Sequence, residues 1–299
     1  MEEDGITFYN RYTGEMEREK VMGERALRWV YGTATGRLAL HLLVKRAVFS
    51  RIMGWQKDRP ASARCLPQFV QEYGIDMEES ARPLQDFRSF NDFFTRRIRP
   101  EARPVNLDPD TLISPCDGNL SAYRISEDSE FAVKNSYYSV SDLVGGDEIA
   151  HEYLNGTCLI LRLGVDNYHR YCYIDDGFKG RNHHIEGIYH TVQPIVVRKH
   201  PVFRQNNREY CMLYTKNFGN VVQIEVGACL VGRIKNHNET GVTHRGQEKG
   251  MFLFGGSTII LLFKEDVLDV SDWVFDFTAM GREIPVKYGA PICKRLIKE

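Results

Sequence analysis

Residues Met251 to Ile260 read MFLFGGSTII, two apolar arms around Gly255-Gly256-Ser257-Thr258. Short apolar runs broken by paired glycines predict two strands, each buried on at least one face, with a tight bend between them. No Lys follows the serine, so the bend is not a phosphate-binding loop. It also lacks the second Gly of a G-x-S-x-G nucleophile elbow.

The same texture extends upstream to Leu112. LISP, SAYRI, FAV, TCLILRLG, RYCYI, TVQPIVV, REYCMLY and VVQIEVGACLVGRI are short β-rich runs, separated by Asp-Gly, Asn-Gly, Gly-Gly and Asn-Phe-Gly turn signals. Strands do not alternate with helical periods, which disfavours a doubly wound nucleotide fold and predicts an antiparallel sandwich or open barrel. The first hundred residues read as helical instead. Ser89 and Asp92 fit a capping box ahead of a Phe-loaded helix that Pro100 should end, and Pro104 opens a polar linker reaching Asp110. The fold class is therefore α+β: a helical region over 1–105, then a mainly antiparallel β domain over 106–299.

Within the front region, Glu24 to Arg59 is rich in Leu, Val, Trp and Phe with interspersed Arg and Lys. Arg37, His41 and Lys45 recur at i, i+4 and leave a wide apolar remainder including Leu38, Leu42, Leu43, Phe49 and Ile52. Two readings fit this pattern: a helix lying in a bilayer interface, with Trp29 and Trp55 as anchors, or a core-facing helix with a solvated basic side.

Composition narrows the function. A net charge of −1 lacks the basic surplus of a nucleic-acid binder. The seven cysteines, at 65, 116, 158, 172, 211, 229 and 293, include no C-x-x-C pair and read as reduced thiols of an intracellular protein. The acidic start MEEDG is neither a signal nor a transit peptide, and no apolar stretch is long enough to span a bilayer.

Three turns carry groups capable of chemistry. Asp117 lies in SPCDG, His169 in GVDNYHRYCYIDDG, and Ser257 in the quoted bend. A carboxylate, an imidazole and a hydroxyl could converge, the first orienting the second and the second deprotonating the third. Each also has an ordinary reading: a turn, a hydrogen-bonded histidine, a hairpin loop. The adjacent His183 and His184 would point oppositely in a strand, and no metal site is expected.

FNDFFTRRIRPEARPV (90–105), SPCDG, DNYHRYC (166–172), EVGACLVGRI (225–234) and KGMFLFGGSTII (249–260) occur in the order found in phosphatidylserine decarboxylase proenzymes, and the chain resembles that family over nearly its whole length. The resemblance implies that the Gly256–Ser257 bond is cut by the protein itself, giving a heavy chain 1–256 and a light chain 257–299. Ser257 would become a pyruvoyl cofactor that takes the substrate amine as a Schiff base. Gly255 and Gly256 would permit close attack at the bend, and Thr258 would stabilise the oxyanion. Asp117 and His169 would be catalytic.

The family usually carries D-Y-H-x-x-H, but here Cys172 holds the second His position, and His190 is the expected substitute imidazole. The implied partners are phosphatidylserine in a bilayer, the heavy and light chains of one precursor, and a second copy in a homodimer. The implied location is the cytoplasmic face of the cell membrane, with Glu24 to Arg59 as a peripheral anchor. Two alternatives use the same residues: an uncleaved lipid-binding relative, or a serine hydrolase built on Asp117, His169 and Ser257.

Overall fold

The computed structural model describes residues 7–10, 15–18, 55–127, 129, 131–133, 136–185, 207–227, 234–254 and 257–297. In chain order the strands are β1 (Thr7–Asn10), β2 (Glu15–Arg18), β3 (Thr111–Ile113), β4 (Gly118–Arg124), β5 (Phe131–Val133), β6 (Ser136–Tyr138), β7 (Thr157–Leu163), β8 (Arg170–Cys172), β9 (Gly177–Lys179) and β10 (His183–Ile185). They continue as β11 (Arg208–Thr215), β12 (Asn220–Gly227), β13 (Ile234–Asn236), β14 (Gly241–Thr243), β15 (Glu248–Phe252), β16 (Ser257–Phe263), β17 (Leu268–Asp269), β18 (Ile284–Val286) and β19 (Pro291–Arg295).

One antiparallel sheet of nine strands dominates, in the order β14-β9-β11-β12-β16-β7-β4-β18, with β10 also paired to β11. Two three-stranded sheets, β13-β15-β8 and β17-β19-β3, accompany it. The expected α+β class with antiparallel strands is present. It is arranged as one large sheet and several smaller ones.

The centre of the large sheet explains the uninterrupted apolar run STIILLF. Every residue of β16 is buried. Leu159, Leu161, Leu163, Ile259, Leu261 and Phe263 belong to one apolar cluster, and Ile160, Ile260, Leu262, Ile224 and Val226 to another. A strand covered on both faces has no polar side to alternate with, so period-two patterning disappears.

The arms of the quoted bend do not pair with each other. β15 lies in the sheet of β13 and β8, whereas β16 lies between β12 and β7. The bend is therefore a crossing between sheets, not the hairpin that sequence allowed.

The front region is helical only in part. β1 and β2 pair antiparallel, contrary to the helical expectation for these residues; Thr7, Phe8 and Tyr9 are strand formers. Between 55 and 105 the helices are short: Leu66–Tyr73, Phe90–Phe94 and several 3-10 turns. Ser89 accepts from the amide of Asp92 at 3.1 Å, but Asp92 accepts from Arg88, so only half of the capping box forms. The helix stops at Phe94, and Pro100 opens a separate 3-10 turn instead of ending it. Among the described residues no helix is long and apolar enough to cross a membrane. Of the expected anchor Glu24 to Arg59, residues 24–54 lie outside the described residues.

What these short helices achieve is delivery of phenylalanines. Phe69, Phe87, Phe90, Phe93 and Phe94 form a cluster with Val165 and Phe254, so the front region packs on the loop before β8 and on the arm leaving β15.

Candidate active site

Asp117 closes the turn between β3 and β4 and is almost fully buried. Its Oδ1 accepts from Arg103 Nε and from the Tyr288 amide, both at 2.8 Å, and its Oδ2 accepts from Arg103 at 2.7 Å. Lys287 Nζ stands 3.7 Å away. Burial alone would raise the carboxyl pKa, but the hydrogen bonds from Arg103 and the charge of Lys287 outweigh it and hold the group below the ordinary carboxylate range. Asp117 is thus an ionised, cation-locked carboxylate. A carboxylate has about four acceptor positions, and these contacts leave one on Oδ2. Gly118 follows because β4 meets β7 closely: an added Cβ would stand 2.8 Å from the carbonyl oxygen of Arg162.

His169 is fully buried just before β8. Its Nδ1 lies 2.9 Å from the carbonyl oxygen of Asn167, and its ring lies against Phe94 with centroids 3.9 Å apart. A carbonyl can only accept, so Nδ1 carries a proton, and Nε2 is the nitrogen placed to take one up or give one away. The group orienting this imidazole is therefore the Asn167 carbonyl rather than the Asp117 carboxylate of the expected triad. The carbonyl of His169 accepts from the amide of Phe252, joining it to the arm that leads to the bend.

Ser257 heads β16, opposite Gly227 of β12 and Leu163 of β7, and is fully buried. By strand alternation its side chain shares a face with Ile259 and Leu261, in the cluster that also holds Cys116, Tyr171 and Cys172. Thr258 points to the opposite face, across from Arg162 and Val226, and its buried Oγ1 has no hydrogen-bond partner among the described residues. Ser257 and Thr258 thus address different faces of the sheet.

Cys172, where the resemblance led to the expectation of a second imidazole, is buried at the end of β8. Its amide donates to Pro115 at 2.8 Å, which stitches β8 to the Asp117 turn. Burial pushes its thiol up to about 12, with Tyr288 opposing weakly. A neutral thiol is not a base near neutral pH. His190, Gly255 and Gly256 lie outside the described residues.

β8 thus runs between the Asp117 turn on one side and β15 on the other, carrying His169 and Cys172. Sequence reading missed the groups that hold this frame. Arg103 grips Asp117 and Glu79 together, with Glu79 contacts at 2.8 and 2.9 Å. Arg170 binds the Thr95 carbonyl and Glu248. Lys249, fully buried, reaches Glu225 at 2.6 Å and Asn236 at 2.8 Å. The available signal was charge inside apolar surroundings: Arg in TRRIRPEARP, Glu in VVQIEVG and Lys in KGMFLF.

The family model described as phosphatidylserine decarboxylase matches residues 90–294, a range that includes Arg103, Asp117, His169, Cys172 and Ser257. The chain belongs to the phosphatidylserine decarboxylase family. A phosphatidylserine decarboxylase proenzyme 2 of Clostridium acetobutylicum is 44% identical over 287 residues, covering 96% of this chain and 98% of that protein. A phosphatidylserine decarboxylase proenzyme of Clostridium botulinum strain Langeland is 41% identical over 290 residues, with 96% and 98% covered. One from Clostridium beijerinckii is 37% identical over 295 residues, covering 98% of this chain and 100% of the relative. Likeness to the phosphatidylserine decarboxylase family thus extends beyond the β domain into the front region.

Proposed function

We propose that this chain is a proenzyme that cuts its own Gly256–Ser257 bond and, once cut, decarboxylates phosphatidylserine to phosphatidylethanolamine. The observation that carries the reading is the setting of Ser257: fully buried at the head of a central strand, with the preceding arm anchored in a different sheet. Each side of the bond keeps its own hydrogen-bonded neighbours, so the bond can break without unfolding either piece. Burial also argues against a hydrolase acting on outside substrates, which would need an exposed hydroxyl.

The balanced sequence uses this chain's own groups. Ser257 Oγ, losing its proton to a base, attacks the Gly256 carbonyl carbon; the nitrogen takes up a proton and the amide becomes an ester. Loss of the Ser257 α-proton expels the Gly256 carboxylate and leaves dehydroalanine. Tautomerisation and hydrolysis release ammonia, for a net use of one water. His169 Nε2 is the proposed base because Nδ1 is committed to Asn167. The last acceptor position on Asp117 is proposed for the imidazole of His190.

The pyruvoyl group supplies an electron sink for the loss of carbon dioxide. Ser257 suits it, because β12 and β7 hold the residue in place after the upstream bond is gone. The apolar cluster on that face limits water around a carboxylate whose charge is being dispersed. We place the chain at the membrane surface, on the cytoplasmic side, as a homodimer anchored through 24–59, at about 1 kcal/mol per basic residue near anionic lipid. Flotation with anionic vesicles should weaken in L42E and F49E; unchanged flotation argues against the anchor.

A denaturing gel tests the core of the reading. Wild type should give two fragments and S257A one band without activity. H169A and H190A should each reduce the cut fraction, and full cutting in both removes the histidines from the account.

A further inference from the structure

Arg96 follows the Phe helix and is 6% exposed. One of its terminal nitrogens donates to the Asp166 carbonyl at 3.3 Å, and its guanidinium lies 4.9 Å from the centre of the Phe93 ring. The other terminal nitrogen, Nη1, is buried with no hydrogen-bond partner among the described residues. Three other buried arginines are satisfied by carboxylates: Arg103 by Asp117 and Glu79, Arg162 by Glu283, Arg170 by Glu248. Arg96 has no carboxylate within ion-pair distance among the described residues.

Its neighbours place it at the site. Phe94, two residues earlier, lies on the His169 ring; the Thr95 carbonyl accepts from Arg170; Asp166 belongs to the loop that carries His169. A buried cation with an unfilled donor beside a reaction centre is costly unless an anion completes it. Burial lowers the pKa of this guanidinium, the nearby charges of Asp117 and Glu79 opposing.

We propose that Arg96 binds the phosphodiester of the serine phospholipid headgroup, an inference that rests on the decarboxylase reading above. The headgroup offers two anions, and the chemistry selects between them. A guanidinium on the carboxylate would stabilise the ground state and lose its partner as carbon dioxide leaves, which raises the barrier. A guanidinium on the phosphodiester keeps its contact throughout and fixes the headgroup by a charge-assisted, planar interaction. Arg96 therefore binds and orients the substrate, and self-cleavage, which precedes substrate binding, does not need it.

The experiment uses full-length R96Q and R96K beside wild type, each checked for cleavage on a denaturing gel. They are assayed with phosphatidylserine in mixed micelles and with inorganic phosphate as competitor. R96Q should be cut normally and show a KM raised about 10- to 100-fold with kcat within about threefold, the loss expected for a hydrogen bond to a charged group. It should also lose competition by inorganic phosphate. R96K, which keeps charge but not the fork, should fall between, and it decides the matter if R96Q fails to fold. An unchanged KM, or a fall in kcat alone, overturns the proposal. Loss of phosphate competition with an unchanged KM overturns the lipid assignment in favour of a free-phosphate site. A wild type that neither cuts nor decarboxylates rejects the decarboxylase reading itself, a different failure.

Discussion

The two arms of the bend are secured by opposite means. β16 is held by apolar contacts on both faces and by hydrogen-bonded neighbours on both edges. β15 has the smaller sheet and a polar lock: Lys249 on Glu225 and Asn236, with its ammonium 5.5 Å from the Tyr171 ring centre. Glu225 belongs to β12, which also pairs with β16 through Gly227 and Ser257. Both arms are therefore referenced to one strand, the downstream arm by its backbone ladder and the upstream arm by a buried ion pair. Apolar burial is redundant and tolerant of trimming; a buried charge pair is specific and intolerant of losing one member.

The sharpest way to break the contrast is K249M, which leaves Glu225 buried without its cation. Denaturant unfolding should show a loss of about 3–5 kcal/mol, with incomplete self-cleavage on a gel. A cost below that of an ordinary core truncation would show that the lock does not matter. R103Q should come next and extends the comparison to the Asp117 turn. The depressed Asp117 carboxyl stabilises wild type above the ordinary carboxylate value of about 3.9, and that contribution is lost as pH falls through the depressed pKa. In R103Q the buried carboxyl prefers its proton, so the stability gap from wild type should narrow as the pH is lowered. A gap independent of pH contradicts the assignment.

G250A probes the same arm by shape. An added Cβ would stand 2.5 Å from the Lys235 carbonyl oxygen and 2.6 Å from the Tyr171 hydroxyl. Overpacking of this kind costs about 1–3 kcal/mol and should slow cleavage. On the other arm, I260V should cost only about 0.5–1.5 kcal/mol and leave cleavage complete. Equal cleavage defects in G250A and I260V would erase the difference between the arms.

Much of this was legible beforehand. β3, β4, β7, β11, β12, β15 and β16 announce themselves because their residues are branched, apolar and bounded by turn signals. The helix Val140–Val144 was missed although Ser139 and Asp142 form a full capping box, because its neighbours read as strand. The separation of β15 from β16 was not legible: a Gly-Gly bend between apolar runs looks the same whether it closes a hairpin or joins two sheets. Ser257 and His169 stood out as chemistry, but the frame that holds them depended on contacts distant in sequence. Arg103 meets Asp117 across fourteen residues, Lys249 meets Glu225 across twenty-four, and Phe94 reaches His169 across a domain boundary that sequence drew at 105/106.

Intact-mass measurement of the purified full-length protein tests the central claim most directly. Two polypeptides should appear, one ending at Gly256 and one starting at position 257, the smaller lighter by one ammonia than plain hydrolysis gives. A single 34.5 kDa chain in a preparation that decarboxylates phosphatidylserine would contradict it.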